Sequence, residues 1–82
     1  MKYEVRLSLI AQKTFDRLQD DVAERIGEKL KMVADDPFRY LQHFEGQGYK
    51  LRIGDYRLLI DVDSTERILF VRVLDKRGRI YK

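Results

Sequence analysis

Lys50, Arg52 and Arg57 stand close together in the segment KLRIGDYRL, residues 50–58. Lys76, Arg77, Arg79 and Lys82 follow in the terminal DKRGRIYK, where Tyr81 interrupts the charges. Cations gathered around a tight turn, with an aromatic ring nearby, suit a phosphodiester and a stacked base. Fixed positive charge can also stabilise charge that develops on a phosphate. RNA carries its own nucleophile in the 2′-hydroxyl. Cleavage therefore asks the protein for one group that takes the 2′ proton and one that supports the departing 5′ oxygen. Lys50 is a candidate base, because two neighbouring guanidiniums disfavour its ammonium form. Arg77 is a candidate donor to the leaving oxygen, although arginine gives up a proton with difficulty. Tyr81 can stack on a base or orient the 2′-hydroxyl, and it reads equally well as an ordinary amphipathic residue. His43, the single histidine, reads as a surface or packing residue.

These side chains act together only if the backbone places them on one face. Residues 50–53, 56–62 and 68–74 alternate as strands, joined by Gly54-Asp55 and by residues 63–66. A two-residue turn at Gly54-Asp55 sets Arg52 opposite Arg57 and Lys50 opposite Leu59. Opposed residues share a face, as do residues two apart, so the three cations point the same way. A four-residue second loop would set Arg57 opposite Arg72 and Leu59 opposite Phe70. The other face then collects Leu51, Ile53, Leu58, Ile60, Val62, Leu69, Val71 and Val73. Like charges facing each other across strands destabilise a sheet, so Arg52, Arg57 and Arg72 in one row break a local rule. Such breaks are expected where function is carried. The competing reading is a solvated strand face neutralised by Asp55 and Asp61.

The first half of the chain supplies a cover for the apolar face. Tyr3, Val5 and Leu7 alternate with charges as a half-buried strand. Ser8 can cap a helix that carries Ala11, Phe15 and Leu18 on one side. Asp21 and Glu24 fit a capping box for a second helix with a Val22, Ile26, Leu30 and Val33 stripe, which Pro37 ends. Two amphipathic helices in a hairpin need an apolar surface to lie on.

Composition narrows the function. The chain has 82 residues, 44% hydrophobic, enough for a single domain spanning 1–82. No cysteine is present, which removes disulfides, thiolate zinc sites and cysteine nucleophiles. One histidine excludes a two-histidine acid–base pair. No apolar run approaches the roughly 18 residues of a membrane span, and no signal pattern opens the chain, so the expected home is the cytoplasm, without membrane contact. A charged fraction of 38% with no asparagine leans towards a heat-adapted source. Residues 1–44 carry eight basic and eight acidic side chains, so the net +3 belongs to residues 45–82. That asymmetry points to a polyanion or an acidic protein partner.

With these features in view, the chain resembles the RelE/ParE toxin superfamily, the toxin half of prokaryotic toxin–antitoxin pairs. The resemblance runs through the strand and two helices with Ala11 and Leu18, the Asp36-Pro37 stop, and Phe44-Glu45-Gly46 in place of a Leu-x-Gly step. It is most specific in YKLRIGDYRLLID and continues into KRGRIY. It implies an α+β fold, with an N-terminal strand and αα-hairpin packed on a twisted, mostly antiparallel sheet. In the RelE branch the open face of that sheet cleaves messenger RNA in the ribosomal decoding site without a metal. The family's catalytic positions match Lys50, Arg52, Arg57, Arg77 and Tyr81, and no cofactor is expected. Arg72, Lys76, Arg79 and Lys82 are expected to bind RNA. Arg52 stands where some ribosome-dependent members have lysine, a better proton shuttle. The ParE branch shares the fold, lacks the catalytic basic set and inhibits DNA gyrase. It is the alternative, and the basic set favours RelE.

The implied partners are the ribosome, messenger RNA and a RelB-like acidic antitoxin, with the chain a monomer or part of a toxin–antitoxin heterocomplex. Leu59 and Phe70 lie among the cations, and Phe38, Tyr40, Leu41 and Phe44 crowd the segment before the sheet. Apolar groups beside a basic patch mark a protein interface, so these six are the expected antitoxin contacts.

Overall fold

The computed structural model describes residues 2–46 and 48–76. The order is β1 (Glu4–Leu7), α1 (Leu9–Asp16), α2 (Asp20–Asp35), α3 (Pro37–Tyr40), β2 (Gln42–Glu45), β3 (Gly48–Ile53), β4 (Tyr56–Asp63) and β5 (Ile68–Lys76). The strands form one sheet in the order β1-β5-β4-β3-β2. All neighbours are antiparallel except β1 and β5, which run parallel and join the start of the chain to its last described strand. The fold class is therefore the expected mixed α+β arrangement.

Ser8 starts α1 as anticipated, its Oγ accepting the Ala11 N–H at 3.0 Å. The start of α2 differs from the capping-box expectation. Gln19 is its N-cap and makes no side-chain cap hydrogen bond, while Asp20 and Asp21 lie in the first turn. Acidic groups there still favour the helix through its N-terminal partial charge. Pro37 ends α2 and opens α3 at its first position, where its missing N–H costs nothing.

Helices and sheet meet in one core. Ala11, Ile26, Leu30, Val33 and Ala34 come from the helices, and Leu51, Ile53, Leu58, Ile60, Val62, Leu69, Val71 and Leu74 from the sheet. Each fully buried Leu or Ile contributes roughly 1.5–3 kcal/mol over exposure. Leu41 belongs to this core at 8% exposure. It is therefore no surface contact, contrary to its expected place among the antitoxin residues.

Two features escaped the pattern of residues. Gln42–Glu45 forms an edge strand exposed along its whole length, so it carries no hydrophobic period to announce it. The β4–β5 register also differs from the four-residue-loop expectation. Asp61 pairs with Phe70 and Ile60 with Val71, whereas Leu59 pairs with Val73 and Arg57 with Asp75. The extra residue in β5 is Arg72, a β-bulge that reverses the side-chain phase beyond it. Leu74 therefore enters the core at 1% exposure, and Val73, expected there, turns to the other face.

Candidate active site

The hairpin at Gly54-Asp55 sets the geometry. Gly54 has φ of +57° and Asp55 does not share a positive φ, the pattern of a two-residue turn with glycine first. Ile53 pairs with Tyr56, so Arg52 faces Arg57 and Lys50 faces Leu59. Across the strands, Gln42, Lys50, Leu59 and Val73 form one row, and Arg52, Arg57 and Asp75 the next. Gly48, Asp61, Phe70 and Arg6 make a third row towards β1. Lys50, Arg52 and Arg57 thus share the face that the helices leave uncovered.

The register corrects one electrostatic expectation. Arg57 faces Asp75 and not Arg72, so only the Arg52–Arg57 opposition remains in the row. Two cations at cross-strand distance repel by about 1 kcal/mol near water, and the Asp75 carboxylate offsets part of this. Arg72 sits at the bulge, its Nη1 3.3 Å from Asp61 Oδ1. Asp61 therefore neutralises Arg72, as the solvated-face reading supposed, one row from Lys50 and two rows from the Arg52–Arg57 pair.

Neighbours fix the cations. Lys50 Nζ lies 5.8 Å from the centre of the Phe44 ring, a cation–π arrangement that also places Phe44 on the basic face. Arg52 Nε donates weakly to the Gly54 carbonyl at 3.5 Å. At the far edge, Arg6 Nε donates to Glu4 Oε2 at 2.8 Å. That bond holds the Glu4 carboxyl below its ordinary range and raises Arg6.

Lys50, Arg52 and Arg57 also line a cleft of about 400 Å³, closed on its other side by Lys29 of α2, Tyr40 of α3 and Gln42 of β2. Lys29 and Gln42 went unassigned in the sequence. The helical stripe shows that Lys29 adjoins Leu30, but only the packing of α2 against the sheet edge brings it beside Arg52. Among the described residues, no group of three or more His, Cys, Asp or Glu side chains gathers to hold a metal ion.

Other assigned residues are scattered. Phe38 stacks edge-on against Tyr49 at 5.7 Å, and Tyr49 pairs with core-facing Ile60, so Phe38 lies on the helix side of the sheet. Leu59 is half-buried in the basic face, and Phe70 is 38% exposed there. Lys76 pairs with Tyr56, in phase with Leu74 and off the basic face. Leu9 and Ile10, 83% and 68% exposed, form an apolar pair at the start of α1 that the sequence reading passed over. Arg77, Arg79, Tyr81 and Lys82 lie outside the described residues.

Residues 5–80 match the family described as the ParE toxin of the type II toxin–antitoxin system parDE. The chain belongs to the RelE/ParE superfamily. It is accordingly a type II toxin–antitoxin toxin. No protein of curated function matches it by sequence. The fold of this RelE/ParE toxin is similar to that in the RelBE toxin–antitoxin complex of E. coli, at 25% identity and TM-score 0.79, covering 94% of this chain and 99% of that one. The archaeal RelE–RelB complex of Pyrococcus horikoshii gives 23% identity and TM-score 0.80, covering 96% and 99%. The RelBE2 complex of Mycobacterium tuberculosis gives 21% identity and TM-score 0.82, covering 94% and 100%. Among the described residues, no helix is long and apolar enough to cross a membrane.

Proposed function

We propose that this toxin is a metal-independent endoribonuclease that cuts messenger RNA in the ribosomal decoding site and so stops translation. The observation that carries the reading is the Lys50–Arg52–Arg57 group, three cations on one uncovered sheet face beside a cleft. The 2′-oxygen attacks phosphorus and the bond to the 5′ oxygen breaks, leaving a 2′,3′-cyclic phosphate and a free 5′-hydroxyl. Lys50 accepts the 2′ proton, Arg52 and Arg57 hold the phosphate oxygens as charge grows, and Arg77 supports the 5′ oxygen while it takes a proton from solvent. Tyr81 stacks on a base, and Arg72, Arg79 and Lys82 add phosphate contacts, whereas Lys76 lies off this face. No strong base is built in, so the ribosome supplies the in-line orientation, and free RNA is cut slowly.

The toxin acts in the cytoplasm as one domain spanning 1–82. It is held as a heterocomplex by an acidic, RelB-like antitoxin and is a monomer when released. Phe44, Leu59 and Phe70 are the apolar anchors on the basic face, and Phe38 and Tyr40 receive a segment that continues round the sheet edge. The complexes of the structural relatives support such a partner.

The test adds the purified chain to a translating extract and maps transcript ends by primer extension. Ends at the decoding position support the reading. Intact transcripts, together with inhibited DNA supercoiling by gyrase, would replace it with the ParE-like alternative.

A further inference from the structure

The cleft beside the basic face has a second wall that the cleavage chemistry does not use. Lys29, half-buried on α2, holds its Nζ 4.9 Å from the centre of the Tyr40 ring, and the Arg39 guanidinium approaches the same ring at 5.8 Å. Two cations on one ring fix its orientation. Gln42 is exposed and lies directly opposite Lys50, so its amide sits beside a proposed catalytic group. The β2 pairing with β3 stops at that pair. From Leu51 to Ile53, β3 therefore has no described strand outside it, and a chain can cross the sheet edge there.

We infer that Lys29, Tyr40 and Gln42 form a subsite for the nucleotide next to the scissile phosphate of single-stranded RNA. The inference rests on the endoribonuclease reading and extends it from the bond that breaks to the path of the strand. Lys29 takes the flanking phosphate. The Gln42 amide and Tyr40 hydroxyl supply donors and acceptors to the base edge.

Charge asks for a polyanion, and the lining favours RNA over an acidic peptide. Four cations line the cleft and none of its lining residues is a carboxylate. The aliphatic lining is Leu51, only 5% exposed, which leaves little socket for the apolar anchors that dominate peptide interfaces. A second groove shares Lys29 and Arg52 and adds Arg25, with one carboxylate, Glu28, among its lining, so the surface stays net positive in the direction a longer strand would take.

The experiment measures binding of RNA di- and tetranucleotides with 2′-O-methyl groups, which cannot be cut, by fluorescence anisotropy across a salt series. Lys29→Glu should weaken the tetranucleotide at least tenfold and spare the dinucleotide. The salt slope should fall by about 0.7, the value for one single-strand phosphate contact. Lys29→Arg should restore binding, and Gln42→Ala should weaken it several-fold; circular dichroism checks that each variant is folded. In the translating extract, Lys29→Glu should raise KM with little change in kcat. Equal tetranucleotide affinity in wild type and Lys29→Glu overturns the subsite, and it leaves the nuclease reading standing if Lys50→Ala still abolishes cleavage. Loss of an acidic peptide's binding in Lys29→Glu, with RNA binding unchanged, overturns the subsite in favour of a protein contact. Cleavage undiminished in Lys50→Ala refutes the parent reading instead.

Discussion

The Ser8 hydroxyl donates a 2.6 Å hydrogen bond to the carbonyl of Arg72, the extra residue of the β5 bulge. The Ser8 backbone N–H meanwhile donates to the Val71 carbonyl at 2.9 Å. One residue thus caps α1 and satisfies the irregular strand that brings Asp75 opposite Arg57. Ser8→Ala removes both side-chain roles and should cost about 1–2 kcal/mol in urea unfolding. If the bulge depends on this bond, Ser8→Ala also shifts the amide resonances of residues 71–75. Stability within 0.3 kcal/mol of wild type would show that the cap and the bulge hold without it.

Arg57→Ala should lower cleavage in a translating extract by about 100-fold or more, the scale of one lost charge-stabilising donor. Arg77→Ala should do the same, although its place lies outside the described residues. Single-turnover rates with saturating ribosomes separate this from weakened binding. Unchanged rates in both variants would put the active face elsewhere.

Asp75→Asn removes the carboxylate facing Arg57 and leaves the Arg52–Arg57 repulsion less compensated. The fold should lose up to about 1 kcal/mol in low salt and recover part of it in high salt. RNA affinity should rise, because the row gains net positive charge. A variant less stable by the same amount at every salt concentration would point to packing and not to charge.

Gly48 is buried where β2 meets β3, and a Cβ there would sit 2.9 Å from the Glu45 carbonyl oxygen. That oxygen is backbone and cannot rotate away. Gly48→Ala should therefore destabilise the fold by about 1–3 kcal/mol and open the hairpin that places Phe44 over Lys50. Thermal unfolding measures the first effect, and hydrogen exchange across residues 42–50 the second.

Antitoxin association should slow as salt rises, because opposite charges steer the encounter. Phe44→Ala should speed dissociation tenfold or more with a smaller effect on association. Surface plasmon resonance from low to high salt measures both rates. Association indifferent to salt, with dissociation unchanged in Phe44→Ala, would remove this face from the interface.

The amino-acid sequence by itself determined much of what neighbours along the chain govern, though not the start of α2, where Gln19 and not a capping box opens the helix. Ser8 caps a helix because its oxygen reaches an N–H three residues on, and Pro37 stops one because its ring excludes helical geometry before it. Gly54-Asp55 fixes the Arg52–Arg57 and Lys50–Leu59 pairs because a two-residue turn leaves no freedom of register. Alternation then put Lys50, Arg52 and Arg57 on one face. Only the tertiary structure decided what depends on contacts between distant segments. The bulge at Arg72 forms where β5 meets both β4 and Ser8, so no local pattern announced that Asp75 would face Arg57 or that Leu74 would replace Val73 in the core. Leu41 is buried by the helices and sheet around it, although its neighbours Tyr40 and Gln42 remain accessible. Lys29 reaches the cleft only because α2 lies along the β3 edge, where a residue of an ordinary polar helix face meets the cations of a distant hairpin.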